Sequence, residues 1–161
     1  MAAKIVVGMA DLKVAKAPTI LTTIGLGSCI GIALYDTRAK VAGLAHIMLP
    51  DSTAIASNTN PAKFADTAVI KLISDMSKLG AVQRNIVAKI AGGAQMFNFT
   101  STNESLRVGD RNIEATKRVL MLQRIPLLAE DTGKSFGRTV ELDAVTGKLL
   151  IKTIGQGNKV I

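Results

Sequence analysis

The chain holds one cysteine, Cys29, and one histidine, His46. A thiol with an ordinary pKa near about 8.5 is only a few per cent thiolate at neutral pH, but a neighbouring imidazole can take its proton and form a thiolate–imidazolium pair. Such a pair is a nucleophile with its own proton donor. Singly, each residue has a blander reading: a free cysteine packs as a small buried hydrophobe, and a lone histidine in an apolar strand is usually a satisfied core residue. The segment Gly25-Leu26-Gly27-Ser28 leads directly into Cys29. Its glycines let the backbone turn tightly, which suits a simple strand-to-strand turn and equally suits amide N–H groups aimed at a developing oxyanion. Gly27 and Ser28 are the residues expected in that second role.

Other chemistries fit less well. One cysteine cannot form an internal disulfide, which fits a reducing, cytoplasmic setting. With one His and one Cys, only carboxylates remain to complete a metal site, and no zinc-type spacing exists, so neither metal nor cofactor is expected. Gly25-Leu26-Gly27 opens like a dinucleotide fingerprint, but its third glycine would fall on Ile30. Gly133-Lys134-Ser135 ends like a phosphate loop, yet Leu128 stands where the first glycine belongs.

The formal net charge is +8, from 20 Lys and Arg against 12 Asp and Glu, which favours an anionic partner. Nucleic acid is disfavoured, because the basic residues are scattered and Tyr35, Phe64, Phe97, Phe99 and Phe136 are the only rings available for stacking. No apolar run reaches the roughly 18 to 20 residues of a membrane span, and Met1 to Ala10 lacks a leader pattern, so membrane insertion is not expected. A non-catalytic basic adaptor for an acidic partner, with Cys29 merely buried, is the competing reading.

The elements that must position Cys29 and His46 follow from hydropathy. Lys4–Met9, Thr19–Ile24, Cys29–Tyr35 and Val41–Leu49 are short Ile-, Val- and Leu-rich runs that read as strands. Apolar residues then recur at three- and four-residue steps from Ala62 to Leu79, with Gly80 placed to end a helix. A strand at Ile86–Ala91, a second helix from about Gly109 to Gln123 stopped by Pro126, and strands at Leu127–Glu130, Arg138–Asp143 and Lys148–Ile154 complete the pattern. Strands outnumber helices and come as hairpins, so one domain of the α/β (α+β) class is expected across residues 1–161. The loop from Pro50 to Pro61 is the longest, and long loops often carry function.

If the two strands around Asp36-Thr37-Arg38-Ala39 form a hairpin with Tyr35 opposite Lys40, Cys29 lies directly opposite His46. A shift of two residues leaves them diagonal neighbours on the same face. Only a shift of one separates them to opposite faces.

At these residues the chain resembles the CheD family of chemoreceptor glutamine deamidases. The resemblance covers almost the whole chain. It rests on Thr23 with Gly25-Leu26-Gly27-Ser28-Cys29, His46 with Met48-Leu49-Pro50-Asp51-Ser52, Lys63-Phe64-Ala65-Asp66-Thr67-Ala68, Gly92-Gly93-Ala94-Gln95-Met96-Phe97, and Gly109-Asp110-Arg111-Asn112. It implies a layered sandwich of mostly antiparallel sheet with two long helices. It further implies a cysteine hydrolase that converts glutamine side chains of methyl-accepting chemotaxis receptors to glutamate, in some members also a receptor methylesterase, with a CheC-type phosphatase as partner. The catalytic set it implies here is Cys29, His46 and Thr23. Two positions depart from the family's pattern: Phe64 stands for a common Tyr, and Lys134 stands where a second glycine is expected after Gly133.

Overall fold

The structure is a computed structural model, described here for residues 2–54, 59–95 and 107–161. Ten strands and two long helices follow in the order β1 (Lys4–Val6), β2 (Asp11–Lys16), β3 (Ile20–Leu26), β4 (Ile30–Asp36), β5 (Val41–Ile47), α1 (Ala65–Lys78), β6 (Ile86–Gly92), α2 (Val108–Leu122), β7 (Leu127–Thr132), β8 (Arg138–Asp143), β9 (Leu149–Thr153) and β10 (Gly157–Val160). The strands form two five-stranded sheets, β1-β3-β8-β9-β10 and β2-β5-β4-β6-β7. Among the described residues only the strand pairs β1–β3 and β6–β7 run parallel. This is the expected α+β sandwich of mostly antiparallel sheet.

Two apolar layers hold it together. Ile30, Ile32, Leu34, Ala45 and Ile47 pack under Val69, Leu72 and Met76 of α1 and Val119 and Leu120 of α2. On the opposite face Ala33, Tyr35, Ala42 and Leu44 meet Leu21, Leu26, Val140, Leu142 and Ile151 of the other sheet, and Cys29 belongs to this layer between the sheets. β4 and β5 are therefore covered on both faces, and every residue in them is buried. That explains their nearly unbroken apolar runs.

Three expectations need correction. β2 was not foreseen: Asp11, Lys13 and Lys16 interrupt its apolar residues, as suits a strand at a sheet edge. β10 was also missed, because all four of its residues are exposed and carry no hydrophobic pattern. Helix α1 starts at Ala65 rather than Ala62, since Asn60 caps a separate turn at Pro61–Lys63 by accepting the N–H of Ala62 at 3.0 Å.

The β4–β5 register is shifted by two from the direct pairing: Tyr35 faces Ala42, Asp36 faces Val41, and Gly31 faces His46. Asp36 causes the shift. Its Oδ1 accepts the N–H groups of Arg38 and Ala39 at 2.8 Å each, and its Oδ2 accepts that of Val82 at 2.8 Å. Asp36 thus stays in the ladder while starting the turn, and Lys40 closes the loop with φ 53°. Cys29 and His46 remain on one face, as diagonal neighbours. Among the described residues no helix is long and apolar enough to cross a membrane.

Candidate active site

His46 is held from both sides of its strand. It faces Asp11 of β2 and Gly31 of β4, and its carbonyl accepts the N–H of Ala10 at 2.9 Å. Its ring, 1% exposed, reaches the other sheet, where Nδ1 lies 2.7 Å from Thr23 Oγ1. The Thr23 hydroxyl donates to the Val7 carbonyl at 2.7 Å. A hydroxyl has a single proton, so toward His46 it acts as acceptor and Nδ1 carries the hydrogen. Nε2 is then the unprotonated nitrogen, and it has no hydrogen-bond partner among the described residues.

Cys29, 8% exposed, ends the bend between β3 and β4. The three carbonyls of that bend are all engaged from one side. Ala94 donates to Gly27 and Gly93 donates to Cys29, both at 2.9 Å, and Asn112 Nδ2 donates to Ser28 at 2.9 Å. The Gly27 N–H is given to the Gly25 carbonyl at 3.1 Å. Among the described residues no backbone carbonyl accepts from the N–H of Ser28 or Cys29.

Close packing behind the bend depends on two glycines. A Cβ on Gly92, which has φ 111°, would run into the Cys29 carbonyl, and one on Gly109 would come within 2.5 Å of the Gly93 carbonyl. Buried Arg138 ties the same turn to β8, with Nη1 3.4 Å from the Gly92 carbonyl and Nε 3.1 Å from Asp131.

Burial sets the electrostatics. It pushes the Cys29 thiol above its ordinary pKa, partly offset by the residue's own backbone N–H, and it pushes the His46 imidazole below its ordinary pKa. Both shifts favour the uncharged form. Among the described residues no three His, Cys, Asp or Glu side chains are grouped to hold a metal.

The model of the CheD chemotactic sensory transduction family matches residues 48–153. The chain is 55% identical over 161 residues, the full length of both chains, to the probable chemoreceptor glutamine deamidase CheD of Lachnoclostridium phytofermentans. This chain belongs to the CheD family. A second CheD relative, the probable chemoreceptor glutamine deamidase of Caldanaerobacter subterraneus subsp. tengcongensis, is 56% identical over 155 residues and 96% of each chain. Among solved structures, the hypothetical protein YfiH of Bacillus licheniformis is similar at a TM-score of 0.48 and 15% identity, over 78% of this chain and 51% of that one.

Both departures from the CheD pattern are accommodated. Phe64 is fully buried, heads α1, and forms a bridge with Leu49. Lys134 takes the left-handed conformation itself, with φ 62°. Its carbonyl accepts the N–H of Gln95 at 2.8 Å, and its ammonium lies 5.9 Å from the centre of the Phe136 ring.

Of the long loop from Pro50 to Pro61, residues 55–58 lie outside the described residues. Its first part is strapped to α1, with Ser52 Oγ donating to Asp66 at 2.8 Å. A groove of about 480 Å³ opens there, lined in part by Pro50, Asp51, Asp66, Arg111 and Arg118. Cys29, His46 and Thr23 do not line it.

Sequence reasoning gave no role to Val7, Gly92, Gly109 or Asn112. Val7 acts through its carbonyl, which every residue has, so no side-chain signal could reveal it. Asn112 had a signal: it is a polar residue on the buried stripe of α2, in line with Thr116, Val119 and Leu120.

Proposed function

We propose that this CheD-family chain is a cysteine-dependent deamidase acting on glutamine side chains of methyl-accepting chemotaxis receptors, working in the cytoplasm. The names borne by its relatives support the substrate. The reading of the chemistry is carried by one observation: Thr23 gives its proton to Val7 and accepts Nδ1–H of His46, which leaves Nε2 free as a base on the face that holds Cys29.

In this reading, His46 Nε2 takes the Sγ proton as Cys29 attacks the carboxamide carbon. The negative charge develops on the carboxamide oxygen, and the N–H groups of Ser28 and Cys29 receive it. The imidazolium then protonates the nitrogen, ammonia leaves, and a thioester remains. Water attacks the thioester as Nε2 takes its proton. Glutamate departs, and the sulfur recovers its proton from the ring.

Thr23 keeps Nδ1 protonated throughout, the part a carboxylate or amide plays in other triads. Being neutral, it stabilises the imidazolium less than a carboxylate would. The same acyl chemistry on a receptor methyl ester would release methanol. A CheC-type phosphatase is the proposed protein partner.

The test is ammonia release from a receptor cytoplasmic fragment, comparing the wild-type chain with Cys29→Ala. Release should stop with the variant, which removes the nucleophile and little volume.

A further inference from the structure

The β4–β5 ladder ends at Ile30 and Ile47. One step further, Ser28 and Cys29 turn toward β6, while the N–H groups of Met48 and Leu49 both go to the Lys63 carbonyl, at 2.8 and 3.1 Å. The two strands that carry the thiol and the imidazole therefore part at the place where their relative position matters. Asn112, fully buried on α2, bridges the opening: its Nδ2 donates to the Ser28 carbonyl at 2.9 Å and to the Met48 carbonyl at 3.0 Å. A carboxamide nitrogen has two protons, and both are used. One carbonyl lies immediately before Cys29 and the other two residues after His46.

We infer that Asn112 is a positioning residue that sets the distance between Cys29 and His46, replacing with its side chain the cross-strand bonds that the opened ladder lacks. Asn suits this position through chemistry more than through size. Aspartate in its ionised form offers no proton, serine offers one, and alanine takes the Asn112 partner from both part-buried carbonyls. Both hydrogen bonds of the Asn112 amide nitrogen go to backbone carbonyls, so its influence passes through the two backbone segments it joins.

The inference rests on the proposed nucleophile–base reading, and the experiment that tests it needs no receptor. Alkylation of Cys29 by iodoacetamide is measured at pH 7 in a double-mutant cycle of His46→Ala and Asn112→Ser, with thermal unfolding confirming that each variant is folded. Removing the imidazole should slow alkylation about tenfold or more in the wild-type background, and by less than about threefold once Asn112 is replaced, because the ring no longer stands where it can take the thiol proton. Asn112→Asp supplies a second variant of the same size: its ionised carboxylate offers no proton, so at pH 7 the His46 dependence should be lost there too.

Additive effects in the Asn112→Ser cycle would overturn the inference, as would unfolding of both variants, since Asn112 would then serve the fold alone. A wild-type chain whose alkylation ignores His46 would overturn the nucleophile–base reading instead.

Discussion

Thr23 Oγ1 stands 2.7 Å from His46 Nδ1, and its own proton lies on the Val7 carbonyl. One hydroxyl thus fixes both the orientation and the tautomer of the ring, and it does so across the two sheets. Thr23→Val keeps the shape and removes the acceptor. Its kcat for deamidation should fall about tenfold to a hundredfold with KM little changed, short of the loss in His46→Ala, since the backbone still biases the ring. Thr23→Ser keeps the oxygen and should retain most activity. Steady-state kinetics of the two variants check this, and a fully active Thr23→Val would remove the orienting role.

Burial biases Cys29 and His46 each toward its uncharged form, and kcat/KM should then follow a broad bell. On the acid side activity falls when His46 protonates, and because burial lowers its pKa that limb lies below about pH 6.5. On the alkaline side it falls when Cys29 loses the proton destined for ammonia, and because burial raises its pKa that limb lies above about pH 8.5. Thiolate absorbance in the ultraviolet should be missing on the plateau. A thiolate signal at neutral pH would mean a standing ion pair.

The same shifts act on stability, with opposite slopes. Below about pH 6.5 the unfolded chain protonates His46 more readily than the folded one, so stability falls with pH. Above about pH 8.5 the unfolded chain ionises Cys29 more readily, so stability falls as pH rises. Between those values neither group contributes a slope. Denaturant titrations across pH should show His46→Gln flattening the acid side and Cys29→Ala the alkaline side.

The strands and helices around the site were legible because their cores are simple: the apolar runs of β3, β4 and β5 and the three- and four-residue steps of α1 and α2. That Cys29 and His46 share a face was also legible, since both odd-parity registers place them together. The actual register was not, because it depends on how the Asp36 carboxylate captures three amide groups, one of them from Val82 on a distant segment. Nor was β2 legible, although Asp11 pairs with His46, because an edge strand with alternating charge resembles a loop. The contacts of Asn112 depend on a helix packed against two separate segments, which local pattern does not reveal.

Two backbone positions near the Cys29 bend should respond with opposite signs. Gly92→Ala sets a Cβ against the Cys29 carbonyl at φ 111° and should destabilise the fold by roughly 2 to 4 kcal/mol while slowing alkylation of Cys29. Lys134→Gly relieves a left-handed lysine at φ 62° and should be neutral to stabilising by up to about 1 kcal/mol. Chemical denaturation of both variants measures the two shifts.

With a net charge of +8, docking on an acidic receptor helix should weaken as salt rises, while the buried pair is screened little. Between about 0.05 M and 0.5 M salt, the apparent KM should rise much more than kcat falls. Kinetics with a receptor fragment across that range, with and without a CheC-type phosphatase, test whether the receptor and the proposed phosphatase partner share a basic docking face. A salt-independent KM without competition would argue against it.

Mass spectrometry of a receptor cytoplasmic fragment incubated with the wild-type chain or with Cys29→Ala reads the proposed deamidation at the glutamines themselves. Each conversion of glutamine to glutamate adds about one dalton, because NH₂ is replaced by OH in the hydrolysis assigned to the thiol. The wild-type chain should add that mass at particular glutamines, and Cys29→Ala should leave every glutamine unchanged. Equal mass gain with both proteins would contradict the assignment of Cys29 as nucleophile, and no gain with either would favour a non-catalytic adaptor with a buried cysteine.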